Sequence, residues 1–453
     1  MSSKENAEED GGYLSLTKEE KELLKQVTKN PVFRKVVLVL NTGNPIMMKD
    51  LLPFVDDIDA CIYMGLGGSS AVNALSEILV GNVSPSGRLT DTLAYSLFSH
   101  PSTVNQGNFI YSGISGRLKS ETYQGHYLSY SENIYVGYKY FETRYMDTYL
   151  DASRKASSSC GSTMSQDGWQ YEKEVFFPFG YGMSYSTFSF KDFSYHYDRK
   201  ERKCQVSVKV TNTGKYPSKE VVQVYLSKPY TDYDRNHSIE KSGVELIGFA
   251  KTSLLDPGSS ETVSVEVPLE YLRTYDRTFD NGDSTYGRYL IESGNYVFTV
   301  ASDSHEASDH VLAYQKKEYG RKGLRKGRRQ VTYDGNMTFS ISYTEDKESF
   351  RTSSITGEAI HNQLDEMDMN RYSGRGDNHV TYLSRRDYEA TYPKKADFAL
   401  SDGMAKDLGI THVSPMTEGG NLPSYSTFRS GKTSPDVDQG DLVAVDFQDA
   451  PYD

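Results

Sequence analysis

Cysteine and tryptophan are nearly missing from this chain. It has three Cys and one Trp in 453 residues. Cys61, Cys160 and Cys204 are too few and too scattered for a disulfide framework or a zinc site, and they fit a reducing compartment. No apolar run reaches the 18 residues that a membrane helix needs. Met1 to Asp10 is polar and acidic, without the apolar centre of a secretion signal. Together these absences lead us to expect a soluble, cytoplasmic protein. Positive charge is also short: 50 Lys and Arg against 62 Asp and Glu leave a net charge of −12. That balance argues against nucleic acid and anionic membrane as partners. The hydrophobic fraction, 37%, is low for a compact chain. Because the first 300 residues are well patterned, the deficit is expected in the last third.

The length allows about three domains, and 36 Tyr fit a β-rich protein or sugar-facing clefts. Thr17 followed by Glu20 makes a capping box, and Leu23, Leu24 and Val27 form one helical stripe. Lys35-Val-Val-Leu-Val-Leu40 is a strand-length apolar run of the kind buried on both faces of a parallel sheet. Asn41 to Pro45 breaks it, and a short helical segment through Leu52 follows. Ile58 to Met64 predicts a second strand and Gly65-Leu-Gly-Gly68 a turn. Ser69 is placed to cap a helix with Val72, Leu75, Ile78 and Leu79 on its inner side. Strand, helix, strand, helix predicts a doubly wound α/β layer.

Between Ser96 and Asp167 the pattern weakens into Tyr- and Ser-rich loops, and Ser153 to Asp167 reads as a mobile surface insertion. From Phe188 onward period-2 strands dominate: Cys204 to Val210, Val221 to Leu226, Glu245 to Ala250, Thr262 to Val267 and Tyr296 to Ala301. Asn212-Thr-Gly214, Asp256-Pro-Gly258 and Ser293-Gly-Asn295 supply turns, and the absence of helices between the strands predicts a β-sandwich. Lys316 to Arg329 is basic and reads as a solvated linker. Val331 to Tyr343 alternates enough for one hairpin, and no secondary structure is expected beyond it.

Four stretches resemble family 3 glycoside hydrolases. Val36-Val-Leu-Val-Leu-Asn-Thr-Gly-Asn-Pro-Ile46 is similar to the family's strand and turn. Gly65 to Leu89, ending Ser84-Pro-Ser-Gly-Arg-Leu89, is similar to its helix and exit loop. Tyr130-Ser-Glu-Asn-Ile-Tyr-Val-Gly-Tyr-Lys-Tyr140 and Phe177-Pro-Phe-Gly-Tyr-Gly-Met-Ser-Tyr185 follow in the family's order. The Val208 to Gly214 and Glu220 to Tyr225 strands, with Leu246-Ile-Gly-Phe249 and Leu255-Asp-Pro-Gly258, then resemble its fibronectin III-like domain. The resemblance covers roughly residues 13 to 310. Thr356 to Ile360, Asn362 to Asp365, Val380 to Asp387 and Thr391 to Pro393 resemble the connector of members whose (β/α)8 barrel comes last.

The resemblance implies an incomplete doubly wound α/β domain, then an immunoglobulin or fibronectin III-like β-sandwich, then a largely irregular tail. The expected boundaries are 1–16 for a disordered N-terminal tail, 17–187 for the α/β domain, 188–315 for the sandwich, and 316–453 for a polar linker and connector. It also implies β-glucosidase-type hydrolysis of O-glycosyl bonds, with a β-glucoside or related oligosaccharide as substrate. Retaining hydrolysis uses two carboxylates roughly 5 Å apart, and in the family the nucleophile is an Asp on the barrel. Asp402, in Ser401-Asp402-Gly403, reads as a chance match to that context. Glu5 stands near the place of the acid/base Glu but lacks the surrounding Gly residues and Asp-Arg pair, and reads as an exposed acid.

Glu132 reads as a buried structural carboxylate bonded to backbone amides. His305 and His310 read as surface residues, and the nine His show no pair at ligand spacing. Gly65 to Gly68 lacks the features of a phosphate loop or dinucleotide fingerprint, so no cofactor is expected. The sequence thus designates no catalytic, cofactor-binding or metal residue. It predicts a piece of a glycosidase that is inactive by itself, with a separately encoded barrel as one partner it could have. The alternative is a non-catalytic carbohydrate- or partner-binding protein made of the two accessory domains.

Overall fold

The computed structural model describes residues 14–68, 70–106, 109–110, 126–198, 200–201, 203–315, 331–334, 337–364, 368, 370, 379–395 and 398. Two compact units result, one of residues 1–109 and 128–397, the other of residues 110–127 and 398–453. In the second, the Tyr127 and Phe398 rings meet with centroids 4.9 Å apart, and the Phe398 N–H donates to the Tyr127 hydroxyl.

The first unit opens on α1 (Lys18–Thr28), closed by the capping box of Thr17 and Glu20. Strands β1 (Val37–Leu40) and β2 (Ala60–Tyr63) pair in parallel, Val37 opposite Ala60. Helix α2 (Ala71–Leu79) follows, after a turn whose Gly65 and Gly68 take the positive φ that glycine accepts readily. Ser70 rather than Ser69 is the residue before the helix, and its side chain makes no capping bond; Ser69 lies outside the described residues. The expected two-faced burial does not occur. Among the described residues the parallel sheet has two strands only. Leu38 packs toward Met48, Leu51 and Phe176 on one side. Three of the four β2 residues are exposed, and α2 buries no residue, with Val72 63% and Leu79 50% exposed. An apolar stripe is buried only where a second layer meets it, and none of the described residues supplies that layer.

Strand β3 (Leu93–Ala94) precedes two 3-10 turns, Leu97–Ser99 and Pro101–Asn105. The two-residue strands β4 (Phe109–Ile110) and β5 (His126–Tyr127) come next. The loop-rich expectation for 96–167 then fails at α3 (Tyr138–Leu150), a 13-residue helix with Tyr140 to Asp147 all buried. It has no polar face, because its Glu, Arg and Asp point into the protein as fully as its rings do. A periodicity search for one apolar stripe cannot find such a helix. The 153–167 segment lies at the surface, with Ala156 alone buried, but it is anchored. The Arg144 guanidinium donates to the carbonyls of Ala156, Ser158 and Cys160 at 2.7 to 2.8 Å, which folds that segment against α3. Helix α4 (Tyr171–Glu174) leads into β6 (Val175–Phe177), antiparallel to β3.

The sandwich begins with β7 (Phe188–Asp198), β8 (Lys203–Asn212) and β9 (Val221–Ser227). After α5 (Asp232–His237) come β10 (Glu245–Lys251) and β11 (Ser260–Pro268), then the hairpin of β12 (Thr274–Asp280) and β13 (Tyr286–Leu290). The sandwich strands end with β14 (Gly294–Ala301), β15 (Val331–Tyr333) and β16 (Thr338–Tyr343). One sheet runs β10-β9-β14-β16 and the other β11-β8-β7-β15. On β8 the alternation is complete: Cys204, Val206, Val208 and Val210 face the core, against Val263, Val265 and Val267 of β11 and Val224 and Leu226 of β9.

Two details depart from the sequence reading. Strand β9 is buried at every position, because Tyr225 on its outer face is covered by α3 and by α6 (Ser304–Tyr314), a helix the strand pattern did not predict. Residues 331–343 do not form a hairpin. β15 joins β7 in parallel while β16 joins β14 antiparallel, so the two strands enter opposite sheets with buried Met337 between them. The sandwich therefore takes in strands from the stretch expected to be linker. Farther on, 379–393 is a strap with Val380, Leu383 and Tyr388 buried, ending in the short helix α7 (Tyr388–Thr391). The described residues form no closed barrel.

Candidate functional site

The chemistry-bearing residues of the first unit gather around α3, and what decides their use is whether a lone pair remains free. Three buried carboxylates anchor the region. Glu142 accepts from the hydroxyls of Tyr171 (2.6 Å), Ser304 (3.0 Å) and Ser308 (3.0 Å) and lies 3.1 Å from His305 Nδ1. Glu174 accepts from Ser99, Ser162 and Thr163 hydroxyls and from the Thr163 and Met164 amides. Asp147 takes a two-pronged bond from Arg385, at 3.1 and 2.5 Å, the Tyr388 hydroxyl at 3.0 Å, and Arg154. Burial disfavours the Arg385 charge, yet Asp147 outweighs it and raises the guanidinium pKa further. Carboxylates so fully bonded act as clamps rather than as nucleophiles or proton carriers. Glu142 and Asp147 pin α6, Arg154 and the strap to α3, and Glu174 ties Ser99 and residues 162–164 to α4.

Glu132 is different. It is buried, and burial lifts its carboxyl above the ordinary value, with its own amide the opposing influence. Glu220 and Glu292 are also raised by burial, but each faces a cation, Arg88 and Lys241. Among the described carboxylates with raised pKa, Glu132 alone lacks one. The expectation of burial fits. Its loop, Tyr130 to Gly137, is held by Asn105 Nδ2 donating to Ser131 Oγ (2.6 Å) and by the Leu383 amide donating to the Ser131 carbonyl (2.7 Å). Tyr130 itself is exposed. His100, at the start of the turn that ends in Asn105, is buried with Nε2 unpartnered, and burial lowers its pKa while Asp91 opposes the fall.

The two histidines read as surface residues are placed otherwise. His305 is fully buried, stacked on Tyr171 with ring centroids 3.9 Å apart. His310 is half-buried and 3.0 Å from the Thr299 hydroxyl. Both sit on α6, whose existence the strand pattern hid. Glu5 and Asp402 lie outside the described residues. Cys61, Cys160 and Cys204 are free thiols, exposed, half-buried and buried in turn, and burial pushes Cys204 up to about 11. Among the described residues no group of three or more His, Cys, Asp or Glu could hold a metal ion, and no helix is long and apolar enough to cross a membrane.

The α/β and sandwich parts meet through residues of the Ser84 to Leu89 turn. Arg88 forms a buried ion pair with Glu220 at the start of β9. Ser218 Oγ donates to Ser84 Oγ (2.9 Å), and the Tyr185 hydroxyl donates to the Ile78 carbonyl (2.8 Å). The motif residues singled out in the sequence thus hold the domain junction.

Comparison with known proteins agrees with this layout. A beta-glucosidase of Ruminococcus albus is 32% identical over 301 residues, covering 66% of this chain and 25% of that protein. Beta-glucosidase A of Butyrivibrio fibrisolvens is 32% identical over 332 residues, 68% of this chain and 33% of that protein. The chain thus spans about a quarter to a third of the length of these curated relatives. Among solved structures, beta-glucosidase 3B from Thermotoga neapolitana in complex with alpha-D-glucose has a TM-score of 0.49 at 24% identity, over 74% of this chain and 35% of that one. Residues 1–138 match the Glycosyl hydrolase family 3 C-terminal domain, and residues 220–304 match the Fibronectin type III-like domain. This chain carries the C-terminal domain of glycosyl hydrolase family 3, followed by a fibronectin type III-like domain.

Proposed function

We propose that the chain is the accessory half of a family 3 glycoside hydrolase of β-glucosidase type, acting on β-glucosides or related oligosaccharides. The observation that carries this reading is the order of the two matched domains, joined at Arg88 and Glu220 by the motif residues themselves. The names of the relatives support the substrate class. The saturation of Glu142, Asp147 and Glu174 supports a division of labour in which this half frames a cleft and the cleaving carboxylate comes from a barrel outside residues 1–453. That barrel is supplied either in the same polypeptide or as a separate one. The three free thiols support a cytoplasmic setting.

The test is hydrolysis of an aryl β-glucoside by the purified 453-residue chain. No turnover above the uncatalysed rate is expected. Robust turnover abolished by Glu132→Gln would place the chemistry in this half and overturn the division of labour.

A further inference from the structure

Two polar groups that the clamps around α3 leave aside stand in one turn, residues 129–133. The Ser129 hydroxyl is buried without a partner. Three residues on, Glu132 is 5% exposed, and no other described residue donates to its carboxyl or offers it a cation. Between them Tyr130 is 68% exposed. Glu142, Glu174 and Asp147 show what a carboxylate sealed into this protein acquires, namely several donors each. Glu132 has acquired none of that kind. Buried polar atoms nearly always have a partner, so two left open in one turn call for a partner from outside the chain.

The turn is also set before any ligand arrives. Asn133 takes a left-handed φ of 59°, and its amide donates to the Tyr130 carbonyl at 3.1 Å. The Tyr135 amide donates to the Glu132 carbonyl at 3.1 Å. Ser131, between the open groups, is fixed from two sides by Asn105 and Leu383. A site so braced loses little freedom on binding. Burial favours the uncharged form of the Glu132 carboxyl, which donates and accepts at once. Such a group suits adjacent hydroxyls better than an amine. A phenol ring open to solvent supplies an apolar surface with a polar edge, which matches the face of a sugar ring.

We propose that the 129–133 turn is a subsite for a neutral polyhydroxylated ligand, a glucoside. The Glu132 carboxyl and the Ser129 hydroxyl bond its hydroxyls, and the Tyr130 ring lies against its apolar face. The choice of a glucoside rests on the reading of the chain as half of a β-glucosidase-type enzyme. The site itself rests on the turn, and it holds the sugar without cleaving it.

The test is a titration of the 453-residue chain with cellobiose, followed by saturation-transfer NMR. Millimolar binding is expected. Tyr130→Ala, at an exposed position, and Glu132→Ala each weaken it about tenfold, while Glu132→Gln, which keeps a neutral donor and acceptor, stays within about threefold. Tyr195→Ala, exposed on the sandwich, leaves it unchanged. Absence of binding at tens of millimolar, or binding untouched by Tyr130→Ala, overturns the proposal. Equal loss in Glu132→Gln and Glu132→Ala overturns it as well, because the carboxylate would then act as a charge. Tighter binding of butylamine than of cellobiose overturns it in favour of a cationic partner. Binding is read without turnover, so its absence leaves the half-enzyme reading standing, and hydrolysis by the chain alone leaves the binding result standing.

Discussion

The sandwich and the α/β region share one chain but differ in how far their apolar surface is closed. In the sandwich, β8 and β11 turn one face inward and meet β9 and β14, which α3 and α6 cover on their far side. In the α/β region, strands of similarly apolar sequence stand with β2 mostly exposed and α2 entirely unburied. The difference shows that an apolar run records a capacity for burial, while the burial itself depends on a partner layer. It also separates two uses of polar residues. Around α3 the buried charges are paired and tie segments together, whereas the open sheet has apolar side chains in contact with water.

The largest effect is expected at the clamp. Asp147→Ala leaves Arg385 and Arg154 without their partner in a buried place, a loss of about 3–5 kcal/mol, measured by urea unfolding. Phe298→Ala on β14, fully buried in the sandwich core, should cost about 3–5 kcal/mol through lost contacts and a cavity. Thr17→Ala removes the capping box of α1 and should cost about 1 kcal/mol. At Val72 the change to Asp should lie within about 0.5 kcal/mol of neutral, because the residue is exposed. A cost of 2 kcal/mol or more there would show that α2 is covered and would erase the contrast.

A smaller, pH-dependent effect is expected at His100. Its folded pKa is depressed by burial, so the unfolded chain binds the proton more readily. Stability from this residue is therefore complete above the unfolded value, about 6.5, and is lost as pH falls through that value toward the folded one. His100→Gln should flatten the slope of stability against pH below about 6.5. An unchanged slope would show that the imidazole is solvated.

Much of the sandwich was legible in the sequence because its strands alternate with period 2 and turns of Asn, Pro and Gly punctuate them. Val206, Val208 and Val210 needed only that period. The capping box at Thr17 was legible for the same reason, being a local device. Helix α3 was not, since Glu142, Arg144 and Asp147 look solvent-facing until their partners are known. The partners of Asp147 and Glu142 at Arg385, Tyr388 and His305 lie more than 150 residues away, and those of Arg144 are backbone carbonyls of 156–160, so no local side-chain pattern reports them. His305 was misplaced because α6, on which it sits, follows β14 closely, and its start is marked only by a local cap in which Asp303 accepts from the Glu306 amide. Strands β15 and β16 looked like one hairpin because alternation is blind to which sheet a strand enters. Family motifs singled out the stretch that ends Ser84 to Leu89 but said nothing of the ion pair between Arg88 and Glu220. Of the candidate site, Glu132 could be picked out by motif, and only the fold showed that it lacks a cation while its neighbours are clamped.

Native-state hydrogen exchange of the 453-residue chain tests the contrast most directly. Amides of Val206 to Val210 should exchange only with global unfolding, and those of Ala60 to Tyr63 orders of magnitude faster, through local opening. Equal protection of the two strands would contradict the account, because it would mean that the parallel pair is as closed as the sandwich.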